Sequence, residues 1–98
     1  MVTMVTKELA KYAKENYPGF EKFSTEDLER FFDLYKNTTL IRFDRAGKIN
    51  GFCVFEPEVK KKTLKFIALQ LDGDRKENFR LIRDFARHKW PGFKLIFR

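Results

Sequence analysis

The stretch that most constrains this chain is Thr-Leu-Lys-Phe-Ile-Ala-Leu-Gln-Leu, residues 63–71. Read as a regular strand, it points Leu64, Phe66 and Ala68 to one side and Ile67, Leu69 and Leu71 to the other. A strand apolar on both sides belongs inside a sheet that is covered on each face. The residues after it fit that demand. Asp72-Gly73-Asp74 is a tight turn, residues 74–89 carry a helical pattern, Trp90-Pro91-Gly92 stops the helix, and residues 93–97 read as a second strand. Strand, helix and strand at this spacing form a βαβ crossover, so the last strand should run parallel to residues 63–71.

The upstream chain supplies the cover and the neighbours. Leu9, Tyr12, Ala13 and Tyr17 recur at helical spacing over residues 6–16, and Tyr17-Pro18-Gly19 ends that helix. Ser24 is an N-cap with Asp27 three residues on, and Phe23 and Leu28 hold the positions of a hydrophobic staple. The helix so started turns Leu28, Phe31, Phe32 and Tyr35 inward and ends near Asn37. Residues 40–44 and 49–56 alternate as an antiparallel hairpin around Arg45-Ala46-Gly47-Lys48, with Pro57 ending the second strand and Val59-Lys60-Lys61-Lys62 as the next turn. The expected class is α+β, in the order α-α-β-β-β-α-β, with a mostly antiparallel sheet and one parallel βαβ crossover. The segments AKENYPGF (13–20) and ARHKWPGF (86–93) look alike, but their flanks differ, so they read as one helix-stop chemistry used twice.

Ninety-eight residues make one domain with a modest core, and twelve phenylalanines supply large buried area per residue. A single cysteine, Cys53, allows no intramolecular disulfide and no cysteine-based metal site, and a single histidine, His88, argues further against a metal. The first six residues lack the form of a signal sequence, and no apolar run reaches membrane-spanning length. The expectation is a protein of the reducing cytoplasm that needs no metal and no membrane. The formal net charge of +7 favours anionic partners or ligands.

The element order resembles the central part of the GNAT (Gcn5-related N-acetyltransferase) fold. In that family the strand before the crossover helix leads into a loop of pattern Q/R-x-x-G-x-G/A, which binds the pyrophosphate of acetyl-CoA. Gln70-Leu71-Asp72-Gly73-Asp74-Arg75 matches at Gln70 and Gly73 and departs at Arg75. The resemblance covers roughly residues 6–98 and implies an acetyl-CoA site at Gln70, Gly73, Asp74, Arg75 and Lys76, serving acyl transfer. The family's usual catalytic groups are not matched. Its proton-donating tyrosine comes from a helix after the crossover that these residues do not contain, and residues 63–71 hold no carboxylate to stand as its glutamate.

Physical chemistry reads the same turn in two ways. A helix N-terminus offers unpaired N–H groups to a phosphate, Gly73 lets the backbone approach, and Arg75, Lys76 and Arg80 add positive charge. Against this, Asp74 with Glu77 is an acidic capping box, Asp72 is a second cap, and a capping carboxylate takes the donors that a pyrophosphate needs. Along the helix, Lys76, Arg80, Arg83 and Arg87 form one stripe beside an expected buried face of Phe79, Leu81, Ile82, Phe85 and Ala86, with Glu77 and Asp84 able to pair across it. The stripe is either a solvated face or a ridge for an acidic protein or nucleic acid. Trp90 reads as core or as a stacking platform, Cys53 as a buried small hydrophobe, and His88 as a helix-end cation. A final strand at residues 93–97 would be a sheet edge, which invites a homodimer or another edge-docked partner.

Overall fold

A computed structural model describes residues 4–96. Its elements are α1 (Met4–Asn16), α2 (Thr25–Leu34), β1 (Thr39–Phe43), β2 (Ile49–Glu58), β3 (Thr63–Leu71), α3 (Arg75–Lys89) and β4 (Lys94–Ile96), with short 3-10 turns on either side of α2. The four strands lie in the order β1-β2-β3-β4. The first three pair antiparallel and β4 pairs parallel to β3, with Thr63 beside Lys94 and Lys65 beside Ile96. This is the expected α+β order with its single crossover. Phe97, the expected end of the last strand, and the opening Met1 to Thr3 lie outside the described residues.

Each face of the sheet carries its own core. On one side Leu9, Ala10 and Ala13 of α1 and Leu28 and Phe32 of α2 bury Phe52, Val54 and Ala68. On the other, Ile82 and Ala86 of α3 bury Cys53, Phe55 and Leu64. The local starts and stops behave as their chemistry dictates. The Ser24 hydroxyl accepts from the Asp27 N–H at 3.1 Å. The two Pro-Gly stops are the same device: Tyr17 N–H donates to Ala13 O and Phe20 N–H to Tyr17 O, and Trp90 and Phe93 repeat both bonds at Ala86 and Trp90.

Three expectations are corrected. First, β3 does not alternate regularly. Val54 stands beside Ala68 and Phe55 beside Phe66, so Ile67 is an extra, bulged residue. Ile67 and Ala68 therefore both face α1 and α2, while Leu64, Phe66 and Leu71 face α3. Second, β2 runs through Pro57 to Glu58. Its pairing with β1 ends at Val54, so beyond that point a proline lacking its N–H can face the open side without breaking a ladder bond. Third, the line of α3 that sinks into the core is Asn78, Ile82 and Ala86, whereas Phe79 is 43% and Leu81 38% exposed. The polar Asn78 takes a core position, and the larger apolar residues fall to either side of it.

Candidate functional site

The junction between β3 and α3 is built around Gly73, whose φ of +100° favours a residue without a side chain. Asp74 caps the helix, its carboxylate accepting from Lys76 N–H at 2.8 Å. It does not reach Glu77 as a capping box would. Asp72, the alternative cap, is engaged elsewhere: the Tyr12 hydroxyl of α1 donates to its Oδ2 at 3.0 Å. Burial, and then the hydrogen bond and charge of Asp72, push the Tyr12 phenol up from 10.0 to about 12.

A second group of contacts locks the turn from behind. Arg42 of β1 donates to the carbonyl of Asp72 at 3.2 Å and also to Oδ1 of Asn78. Asn78, only 6% exposed, returns a bond from its Nδ2 to the same carbonyl at 3.3 Å. The guanidinium of Arg42 lies 3.5 Å from where a Cβ on Gly73 would stand. A buried asparagine is tolerated because both ends of its amide are satisfied. Four elements, α1, β1, β3 and α3, thus meet at one three-residue turn.

In front of the turn is an open cleft of about 340 Å³. Gln70, Gly73 and Arg75 line it together, over an apolar floor that includes Leu69, Leu71, Phe79 and Ile82. The structure therefore brings three of the five expected cofactor residues to one cavity. Asp74 and Lys76 are not among the lining residues; one caps, and the other belongs to the outer stripe. Among the described residues, β4 pairs with β3 only from Thr63 to Lys65, so the length of β3 that borders the cleft has no strand beside it on that side.

The stripe itself is as expected: Lys76, Arg80, Arg83 and Arg87 are all exposed along α3. The pairing anticipated from Glu77 and Asp84 is not made. Among the described residues no ion pair within 4.0 Å joins either acid to the stripe, and the ion pairs present, Arg30–Asp27 and Lys61–Glu58, lie elsewhere. A scan against protein-family models finds no match to this chain, and a search of curated proteins finds none.

The remaining candidates resolve into structure. Trp90 packs against Phe55 and Phe85, with ring centroids 5.7 and 6.0 Å away, as a core residue. Cys53 is fully buried, and burial alone pushes its thiol well above the ordinary range, which leaves no reactive thiolate. Among the described residues no group of three or more His, Cys, Asp or Glu is placed to hold a metal ion, and no helix is long and apolar enough to cross a membrane.

Sequence reasoning missed Arg42, Asn78 and Tyr12. Only Asn78 left a signal: it stands four residues before Ile82 on the inward line of an amphipathic helix, where a polar residue asks for a partner.

Proposed function

We propose that the protein is a GNAT-like domain that binds acyl-CoA in the cleft between β3 and the start of α3. The observation that carries this reading is the convergence of Gln70, Gly73 and Arg75 on one cavity beside a stretch of β3 that, among the described residues, has no strand on its β4 side. The fit can be argued group by group. Arg75 and the helix N-terminus suit an anionic phosphate. The apolar floor suits an uncharged chain, and an open strand edge suits the amides of an extended one. Asp74 opposes the fit, since its carboxylate holds the Lys76 N–H and repels an anion.

Bound acyl-CoA would supply an activated thioester. The named lining residues include no carboxylate, histidine, cysteine or hydroxyl, so their part is to bind and orient. The resemblance extends the reading to N-acyl transfer. With no general base in the lining, the acceptor amine must arrive deprotonated, and turnover would rise with pH through the amine's own pKa.

The test is a titration of the ¹⁵N-labelled protein with acetyl-CoA, with inorganic phosphate as the control. Saturable shifts centred on Gln70 to Lys76 and Phe79 are expected. Asp74→Ser keeps a cap but removes its charge, and should tighten binding by about three- to tenfold. No shift at millimolar acetyl-CoA overturns the reading.

The reading carries two finer parts. One is a reducing, cytoplasmic setting, in which the buried Cys53 stays a thiol. The other is self-association through β4, supported by the strand's place at the end of the sheet and by Ile96, which is exposed there. A monomeric mass by light scattering at high concentration would remove the second part.

A second reading, a basic binding module, is favoured by the distribution of charge. Residues 60–98 hold twelve Lys and Arg against four acids, while residues 1–59 hold nine against ten. All of the net positive charge therefore lies in the half of the chain that contains β3, α3 and β4.

A further inference from the structure

We infer that the outer face of α3 is a docking surface for the phosphate backbone of a nucleic-acid duplex. The inference rests on the second reading above and is independent of the acyl-CoA cleft. It starts from the helix. At 100° per residue, Lys76, Arg80, Arg83 and Arg87 occupy a strip roughly 60° wide, and Glu77 and Asp84 fall about 80° round from its centre. The acids lie on the side towards β1, where they border a shallow cavity with Arg42, Arg80 and Leu81. Asp84, four residues after Arg80 and three before Arg87, flanks one edge of the strip, but among the described residues no ion pair within 4.0 Å quenches it.

Its dimensions suit a linear polyanion. Four cations recur every 4.5–6 Å over roughly 16 Å of helix. Three of the four are arginines, whose planar fork matches phosphate oxygens two at a time. Beyond the end of the strip the surface stays basic. The chain turns at Trp90 into β4, where Lys94 N–H donates to Lys62 O at 2.9 Å, so that Lys60 and Lys62 stand at the same end of the sheet, beside Lys61 in its pair with Glu58.

The choice of a duplex comes from the other features of the face besides charge. A single strand is held by successive aromatic platforms. Among the described residues the strongly exposed aromatic side chains are Phe23, Phe43 and Phe79, and of these Phe79 adjoins the strip. An acidic protein surface presents scattered carboxylates on flexible stems, whereas this array is regular and straight. Regular, straight charge with almost no stacking surface fits a double-helical backbone read without regard to base sequence.

The test is fluorescence anisotropy of a labelled 20-base-pair duplex with the full chain, from 50 to 200 mM KCl. Four phosphate contacts predict a slope of about −3.6 in log K against log salt, which is about a hundredfold loss of affinity over that range. Arg80→Gln with Arg83→Gln should halve the slope, and Arg80→Glu with Arg83→Glu should abolish binding. Lys7→Glu with Lys11→Glu, on α1, changes the net charge equally and should leave the slope unaltered. Circular dichroism of each variant confirms that it is folded.

Equal weakening by the α1 pair would mean general charge and no surface, which overturns the inference. So would tighter binding of a 20-nucleotide single strand. Competition by poly-glutamate as effective as by duplex would overturn the duplex but keep the basic module with an acidic protein partner. No binding of either polyanion at 50 mM KCl would sink both.

Discussion

Tyr12 is a residue whose ionisation is altered by a contact between distant parts of the fold. Its phenol donates to Asp72 across 60 positions of chain, and this bond ties α1 to the turn that starts α3. Ionising Tyr12 would remove the donor and set a phenolate against a carboxylate. The pKa is raised in the folded state, so the stabilisation is fully present below pH 10 and is lost as the pH rises through about 12, because the unfolded chain gives up its proton first. The thermal midpoint of the protein should therefore fall across that window by more than that of Tyr12→Phe, which has no proton to lose there. Melting curves at pH 8, 10 and 11 check this. Identical pH dependence in the two proteins would show that the contact contributes nothing to the fold.

At the scale of elements, the close approach of β2 and β3 decides the shape of the cleft. Gly51 pairs with Leu71, and a Cβ there would stand 2.6 Å from Leu71 Cδ2, 2.9 Å from Gln70 O and 3.0 Å from Leu71 Cα. Two of those atoms are backbone and cannot turn aside. Gly51→Ala should cost about 1–3 kcal/mol and push Gln70 and Leu71, both cleft residues, away from β2. Denaturant unfolding measures the cost, and amide shifts at residues 69–73 measure the displacement; an unchanged midpoint would mean that the strands already have room. This contact was not legible in the sequence, where Gly51 is one small residue among strand formers. The helix caps, the two Pro-Gly stops and the crossover were legible, because each rests on residues adjacent in the chain. The bulge at Ile67 was not, since it is set by which residue of β2 faces which of β3, and apolar side chains on both faces hide a slip of one position. The candidate site divides in the same way. Gln70, Gly73 and Arg75 are local to one turn, whereas Arg42 and Asn78 meet across 36 positions and only the folded chain joins them.

At the scale of the whole molecule, the charge that would serve a polyanion also burdens the fold. The α3 half carries the net charge with few compensating pairs, and like charges at helical spacing repel one another. Arg83 is the position where this conflict can be isolated. It lies three residues after Arg80 and four before Arg87, and it is exposed. Arg83→Glu would turn two repulsions into two attractions, with the glutamate N-terminal to Arg87 in the better orientation, worth about 0.8–2 kcal/mol in total. For a domain of this size, that is a rise in melting temperature of about 4–10 °C at low ionic strength. The gain should shrink in 1 M salt, where surface charges are screened within about 3 Å. The same substitution removes the centre of the proposed duplex surface, so affinity should fall while stability rises. Opposite signs in one variant would mark α3 as a face kept basic for a ligand at the expense of the fold. If Arg83→Glu melts lower than the parent in low salt, the stripe is instead stabilising the native state, and its regular spacing must be explained by contacts within the molecule.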